Sequence, residues 1–230
     1  MNLKINWHYL LSITFFSVAG IQLFSELFEV SFLSIVTRLL LPILLALLYF
    51  SVSNKNNLLF YLFVSLLLVS NVFFYYRDTP LFYFGVLAFI LLRIVAIIII
   101  LSATKQNNYL QIVIASFPFL VIFFYLISVT NEITDIEFNT LILQSILISL
   151  LAGISTATYF RNENRQNSWL LISTLLFIGL RFIVFIERFI ISDLTLLFNR
   201  PISVILNTFA FYTFYKFVIT AELDNNITTR

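Results

Sequence analysis

Eight long apolar runs, each closed by a short polar cluster, set the pattern of this chain. They cover residues 7–25, 31–51, 58–76, 81–103, 109–129, 139–159, 168–187 and 200–220. An α-helix needs about 20 predominantly apolar residues to cross the hydrocarbon core, so the pattern predicts eight membrane spans in an all-α helical bundle. The polar breaks at Ser53–Asn57, Arg77–Pro80, Thr104–Asn108 and Arg161–Arg165 are too short to be domains. The chain therefore reads as one integral membrane domain over residues 1–230. Its seventh break is the least regular: Glu187-Arg188 and Ser192-Asp193 interrupt a run that stays hydrophobic, which suits a segment lying along the interface.

Composition agrees. Hydrophobic residues make up 61% of the chain and charged residues 10%, with a mean hydropathy of +1.02, whereas soluble domains carry roughly 25% charge. With no cysteine and one histidine, His8, disulfides, thiolate chemistry and a histidine metal cluster are excluded, and no cofactor is implied. A net charge of +2, scattered through loops, does not suit nucleic acid.

Loop charge gives an orientation. Lys4, Lys55, Lys105, Arg161, Arg165 and Arg230 fall on one side of an eight-span bundle, while Glu26, Glu29, Glu132, Asp135 and Glu137 fall on the other with Arg77, Arg188 and Arg200. The positive-inside rule makes the first side cytoplasmic, so both termini are expected there. Lys4 followed by Ser17-Val18-Ala19 also has the look of a signal peptide. The apolar run continues through Ile21, Leu23 and Phe24, which favours an uncleaved first span.

Two features speak of packing. Ser145, Ser149, Gly153 and Ala157 recur every fourth residue and give the sixth span a smooth stripe for close backbone approach. Pro118, in mid-span, is expected to kink the fifth helix. Tyr75, Tyr76, Tyr109 and Trp169 sit at span ends, where aromatic belts form, and His8 beside Trp7 reads as interfacial.

The informative anomaly is basic. Arg38, Arg93, Arg181 and Lys216 lie inside spans with no acidic residue in mid-span. A charge at the bilayer centre costs about 2.5 to 3.5 kcal/mol on insertion scales, so intramembrane charges mark sites. Arg38 and Arg181 stand roughly 10 Å from the outer ends of their spans and Arg93 about 18 Å down, with Asn71 slightly shallower than the first two. Lys216 is near enough to the cytoplasmic end to snorkel. Ser34, Arg38 and Pro42 share one helix face, as do Tyr212 and Lys216. The plainer alternative is that Phe89 stacks on Arg93, and Phe177 and Phe185 on Arg181, as cation–π partners.

The order and spacing of these segments, over essentially the whole chain, resemble the YhhN family, the lysoplasmalogenase-like membrane proteins with eight spans. Thr37–Pro42 is similar to that family's Thr-Lys-Pro-Leu stretch with Arg38 at the Lys, and Ser65–Phe73 to its Ser-Leu-Leu-Gly-Asp-Val-Leu segment with Asn71 at the Asp. Gly85, Ala88 and Phe89 match the Gly-Leu-X-Ala-Phe-X-X-X-His pattern, with Arg93 at the His. Leu180 and Arg181 fall at a Ser-Asp pair, and Lys216, four after Tyr212, at the Gln of Tyr-X-X-X-Gln.

The resemblance implies a bacterial inner-membrane protein and cleavage of the vinyl-ether bond of lysoplasmalogen. Protonating an enol ether and steadying the oxocarbenium suit carboxylates, and this chain offers Asn71 and Arg181 instead; arginine stays protonated in proteins. The expectation is a noncatalytic relative that binds an anionic phospholipid or lysophospholipid through Arg38, Asn71, Arg93, Arg181, Tyr212 and Lys216, partners other than membrane lipid being unspecified. A hydrolase with displaced acids, such as Glu187, and a transporter of an anionic amphiphile are the alternatives.

Overall fold

The computed structural model describes residues 7–53, 55–76, 79–104, 108–129, 135–189 and 196–227. These form eight α-helices: α1 Trp7–Leu27, α2 Ser31–Val52, α3 Leu58–Phe73, α4 Leu81–Thr104, α5 Tyr109–Val129, α6 Asp135–Arg161, α7 Arg165–Phe189 and α8 Leu196–Ile227. Seven are long and apolar enough to cross a membrane, and the protein is a multi-pass membrane protein built entirely of helices among the described residues. The irregular segment at Ser192-Asp193 and the loop charges Lys4, Arg77, Lys105, Glu132 and Arg230 lie outside them.

The eight expected runs are all present as helices. The third is shorter than its apolar run: α3 has 16 residues, about 24 Å of rise, because the chain tightens after Phe73. Tyr75 N–H donates to the Val72 carbonyl at 3.3 Å and Tyr76 N–H to that of Phe73 at 3.1 Å, the i→i−3 bonding that closes a helix. In contrast, α6 and α8 run past their apolar stretches into polar sequence. α1 passes unbroken through Ser17-Val18-Ala19 to Leu27. Pro42, Pro118 and Pro201 all lie inside continuous helices.

The helices group into two units, residues 1–96 with 225–230, and residues 97–224. In the first, α1 packs on α2 and α2 on α3. Phe15, Val18, Gln22 and Ser25 form the buried stripe of α1, at the three- and four-residue spacing of one helix face. The α1–α2 turn is closed by Glu29 at φ 55°, a left-handed residue that lets Val30 N–H reach back to Ser25 O at 2.9 Å. At the other end of α2, the hydroxyl of fully buried Tyr49 accepts from Asn57 N–H at 2.9 Å, and Asn57 caps α3 by accepting from Leu59 N–H at 3.0 Å.

In the second unit α5 packs on α6 and α6 on α7. The small-residue stripe is the contact it was expected to be, with Ser145, Ser149, Gly153 and Ala157 all buried. A Cβ on Gly153 would stand 2.7 Å from the Ile112 carbonyl oxygen and 2.8 Å from Ser116 N, so the α5 backbone lies directly on that glycine. Ile127, Leu141 and Phe185 tie α5, α6 and α7 into one apolar cluster. α8 joins through Ser173 Oγ, which donates to Ala210 O at 3.0 Å, and through the edge-on pair Phe177 and Phe211.

Candidate functional site

Arg38 is not left without an acid. Glu26, in the last turn of α1, accepts from Arg38 Nη2 at 2.7 Å and from Ser34 Oγ. Counting residues places the Arg38 backbone roughly 10 Å into α2, but side chains of a helix lean toward its N-terminus. The guanidinium therefore travels back toward the level of Ser34, where the short α1–α2 turn holds Glu26. The expectation of an uncompensated charge is corrected here by the direction of the side chain. The Arg38 side chain remains 40% exposed and that of Glu26 10%.

Asn71 has a main-chain role. Pro42 lies four residues after Arg38 and lacks the N–H that would bond the Arg38 carbonyl. Asn71 Nδ2, from α3, donates to that carbonyl at 3.1 Å. A neighbouring helix thus satisfies the backbone group that the proline frees, the means by which membrane helices tolerate proline. Arg38 and Asn71 also line a cavity of about 230 Å³ together with Ile35, Leu39, Val72, Tyr75 and Tyr76.

Arg93 belongs to the same unit and is 4% exposed. Its Cζ lies 5.0 Å from the centroid of the Phe89 ring, the expected cation–π partner one turn earlier. Phe89 in turn tilts against Phe74 at 6.1 Å.

In the second unit the arrangement around Arg181 is of another kind. Its Nε and Nη2 are sealed from solvent and have no hydrogen-bond partner among the described residues. The expected ring partners are engaged elsewhere: Phe177 meets Phe211 at 5.1 Å, and Phe185 packs on Ile127 and Leu141. Ser173, Phe177, Arg181 and Phe185 follow one another at four-residue spacing. The first two touch α8 and the last packs between α5 and α6, so Arg181 stands on the inward stripe of α7. The contacts of Ser173 with Ala210 and of Gly179 with Leu206 set an antiparallel register in which Arg181 is level with Ser203. Ser203 shares its face of α8 with Asn199, Leu206 and Ala210.

Ser203 Oγ and Asn199 Nδ2 are likewise buried and without partners among the described residues. By that register the Arg181 backbone is level with Ser203 and about one turn from Asn199, so this half of the α7–α8 pair carries three buried side chains able to donate. Because α7 begins at Arg165, the lean of the Arg181 side chain carries its charge toward the middle of that helix, away from the nearer end. This is the reverse of Arg38.

Lys216 lies about 20 Å further along α8 than the level of Arg181. Its Nζ stands 5.6 Å from the Tyr212 ring and 5.8 Å from the Tyr215 ring, a cation–π setting of its own. Within its unit, then, Arg181 shares the register of Ser203, whereas Lys216 sits against Tyr212 and Tyr215. Groups of three or more metal-ligating side chains are absent among the described residues.

Glu26, Asn199 and Ser203 were not singled out by the sequence pattern. Glu26 was legible as the acid nearest a turn of three residues. Asn199 and Ser203, four apart at the start of α8, carry the same spacing as Ser34 and Arg38. Comparison with known proteins returns no matching family model, no similar curated protein and no similar solved structure.

Proposed function

We propose that this multi-pass protein binds an anionic amphiphile, a phospholipid or lysophospholipid, without cleaving it, on a scaffold related to the YhhN family. The carrying observation is the buried, partnerless Nε and Nη2 of Arg181, with Asn199 Nδ2 and Ser203 Oγ also buried and without partners among the described residues. A buried donor left unsatisfied costs about 1–3 kcal/mol, more when charged, and an intramembrane arginine adds its own insertion cost. A phosphate or carboxylate oxygen removes both penalties at once, since guanidinium offers two parallel donors to such groups. The acyl chain would run along apolar helix faces. In the first unit, Arg93 seated on Phe89 and the cavity lined by Arg38 are separate basic positions.

The noncatalytic reading rests on the residues at these positions: arginine and asparagine do not exchange protons at neutral pH. The protein is placed in a bacterial inner membrane with both termini cytoplasmic, α3 counting as a short crossing. The test is thermal unfolding of delipidated protein with lysophosphatidate or lysophosphatidylcholine added. Lysophosphatidate should raise the midpoint of the wild type and leave Arg181→Gln unmoved, and lysoplasmalogen should yield no aldehyde. Equal stabilisation of both proteins, or aldehyde release, would overturn the reading.

A further inference from the structure

A second polar cavity, of about 230 Å³, lies at the turn between α6 and α7. Ala103 and Thr104 close it from the end of α4; the rest of its wall is Thr158 and Arg161 of α6, Asn162 and Asn164 of the turn, and Gln166 and Asn167 of α7. None of these residues belongs to the arginine pattern inside the spans.

The turn is built from asparagines in different roles. Asn164 caps α7 by accepting from Asn167 N–H at 2.7 Å, the bond that an N-cap side chain makes to the third helical residue. Asn167 Nδ2 donates to Asn162 O at 2.8 Å and more distantly to Thr158 O at 3.4 Å, which locks the turn against the end of α6. With the cap spent on Asn167, the amides of Arg165 and Gln166 are the donors that a helix start leaves without an intrahelical partner.

Thr158 supplies an independent sign. It is 5% exposed, and its Oγ1 is buried with no partner among the described residues. Ser155 closes its hydroxyl on Ala152 O at 3.0 Å, whereas Thr158 shares with Ser149 and Thr174 a hydroxyl without a partner among the described residues. Of these three, Thr158 is the one that lines the cavity. Arg161 and the 8% exposed Gln166 line the same cavity. The cavity wall contains no carboxylate among the described residues.

We propose that this cavity is a binding site for a phosphate group, either the headgroup of an anionic phospholipid in the adjacent leaflet or a free phosphate ester. The start of a helix presents amide donors and a positive dipole end to such an anion. Arg161 adds a full charge with planar donors, and the Thr158 hydroxyl fills its empty valence on a phosphate oxygen. This site stands apart from the Arg181 cluster, since the two lie at opposite ends of α7, about 24 Å apart along its axis.

The experiment has two arms on the full-length protein. Calorimetric titration with inorganic phosphate and glycerol 3-phosphate reads the free ester; native mass spectrometry from nanodiscs containing phosphatidate or phosphatidylcholine reads the lipid. Each is run on wild type, Thr158→Val, Arg161→Gln and, as the control for the other site, Arg181→Gln. Thr158→Val keeps the shape of the side chain, so it tests the hydroxyl without emptying the core. Saturable binding in either arm, weakened at least tenfold by both Thr158→Val and Arg161→Gln and unchanged by Arg181→Gln, supports the site, and the responding arm names its source. Absence of binding in both arms overturns it. So does binding that Arg181→Gln removes and Thr158→Val leaves intact, an outcome that would leave the α7–α8 reading standing.

Discussion

Replacing Asn71 removes the donor that α3 supplies to the Arg38 carbonyl, and Pro42 explains why the loss cannot be repaired from within α2. An unsatisfied buried carbonyl costs about 1–3 kcal/mol, while interhelical hydrogen bonds in membranes average about 0.6 kcal/mol with a maximum near 1.7. The bond is 3.1 Å long and part-buried, so Asn71→Ala should cost about 1 kcal/mol. Pro42→Ala restores a main-chain N–H one turn below that carbonyl. In the Pro42→Ala background the same Asn71→Ala change should cost roughly a third as much or less, since the carbonyl no longer depends on Asn71. The four proteins can be compared by reversible unfolding in mixed micelles, followed by far-ultraviolet circular dichroism. Asn71→Asp extends the test: an ionised carboxylate cannot donate and should be at least as damaging as alanine. Equal cost of Asn71→Ala in both backgrounds, within about 0.3 kcal/mol, would refute the idea that asparagine serves the proline-freed carbonyl.

Gly153→Ala should destabilise by about 1–3 kcal/mol, because its methyl would press on Ile112 O at 2.7 Å and Ser116 N at 2.8 Å. Gly20→Ala, whose Cβ meets nothing within 4 Å, should be neutral or stabilise α1 by up to about 1 kcal/mol; a reversed order in thermal melts would contradict the α5–α6 contact. Glu26→Gln strips the charge partner of Arg38 at 2.7 Å and should cost about 1 kcal/mol, between the values for exposed and fully buried pairs, with Arg38→Met in the same background recovering much of the loss. Since the chain has no cysteine, single cysteines report topology cleanly. Lys55→Cys and Glu163→Cys should react with an impermeant maleimide from one side, and Glu29→Cys and Thr79→Cys from the other. Thr79→Cys labelled together with Lys55→Cys would mean that α3 does not cross.

The helices were legible because apolar length and polar punctuation are local properties, and a stripe such as Ser145, Ser149, Gly153 and Ala157 announces its own contact. Phe89 under Arg93 was readable for the same reason, both residues standing on one helix one turn apart. What failed to show was which polar side chains of two different helices meet. Arg38 looked uncompensated because depth was counted at the backbone, whereas its side chain leans back toward Glu26 across the α1–α2 turn. Asn71 drew attention as a polar residue in an apolar span; that its partner would be a carbonyl freed by Pro42, on another helix, required the register of α2 against α3. Arg181 presents the opposite case. Phe177 and Phe185 flank it in sequence, yet Phe177 packs on Phe211 of α8 and Phe185 on Ile127 and Leu141, while Asn199 and Ser203, near its register, are visible only once α7 and α8 are paired. The end of α3 was overestimated because Tyr75 and Tyr76 continue the apolar pattern after the backbone has already turned.

Native mass spectrometry of the detergent-purified protein, wild type against Arg181→Gln, tests the central claim most directly. The account predicts that the wild type carries a bound anionic phospholipid or lysophospholipid into the gas phase and that Arg181→Gln, equally folded by circular dichroism, loses it at least tenfold. Equal retention by the two proteins, or a wild type that carries only zwitterionic lipid, would contradict it.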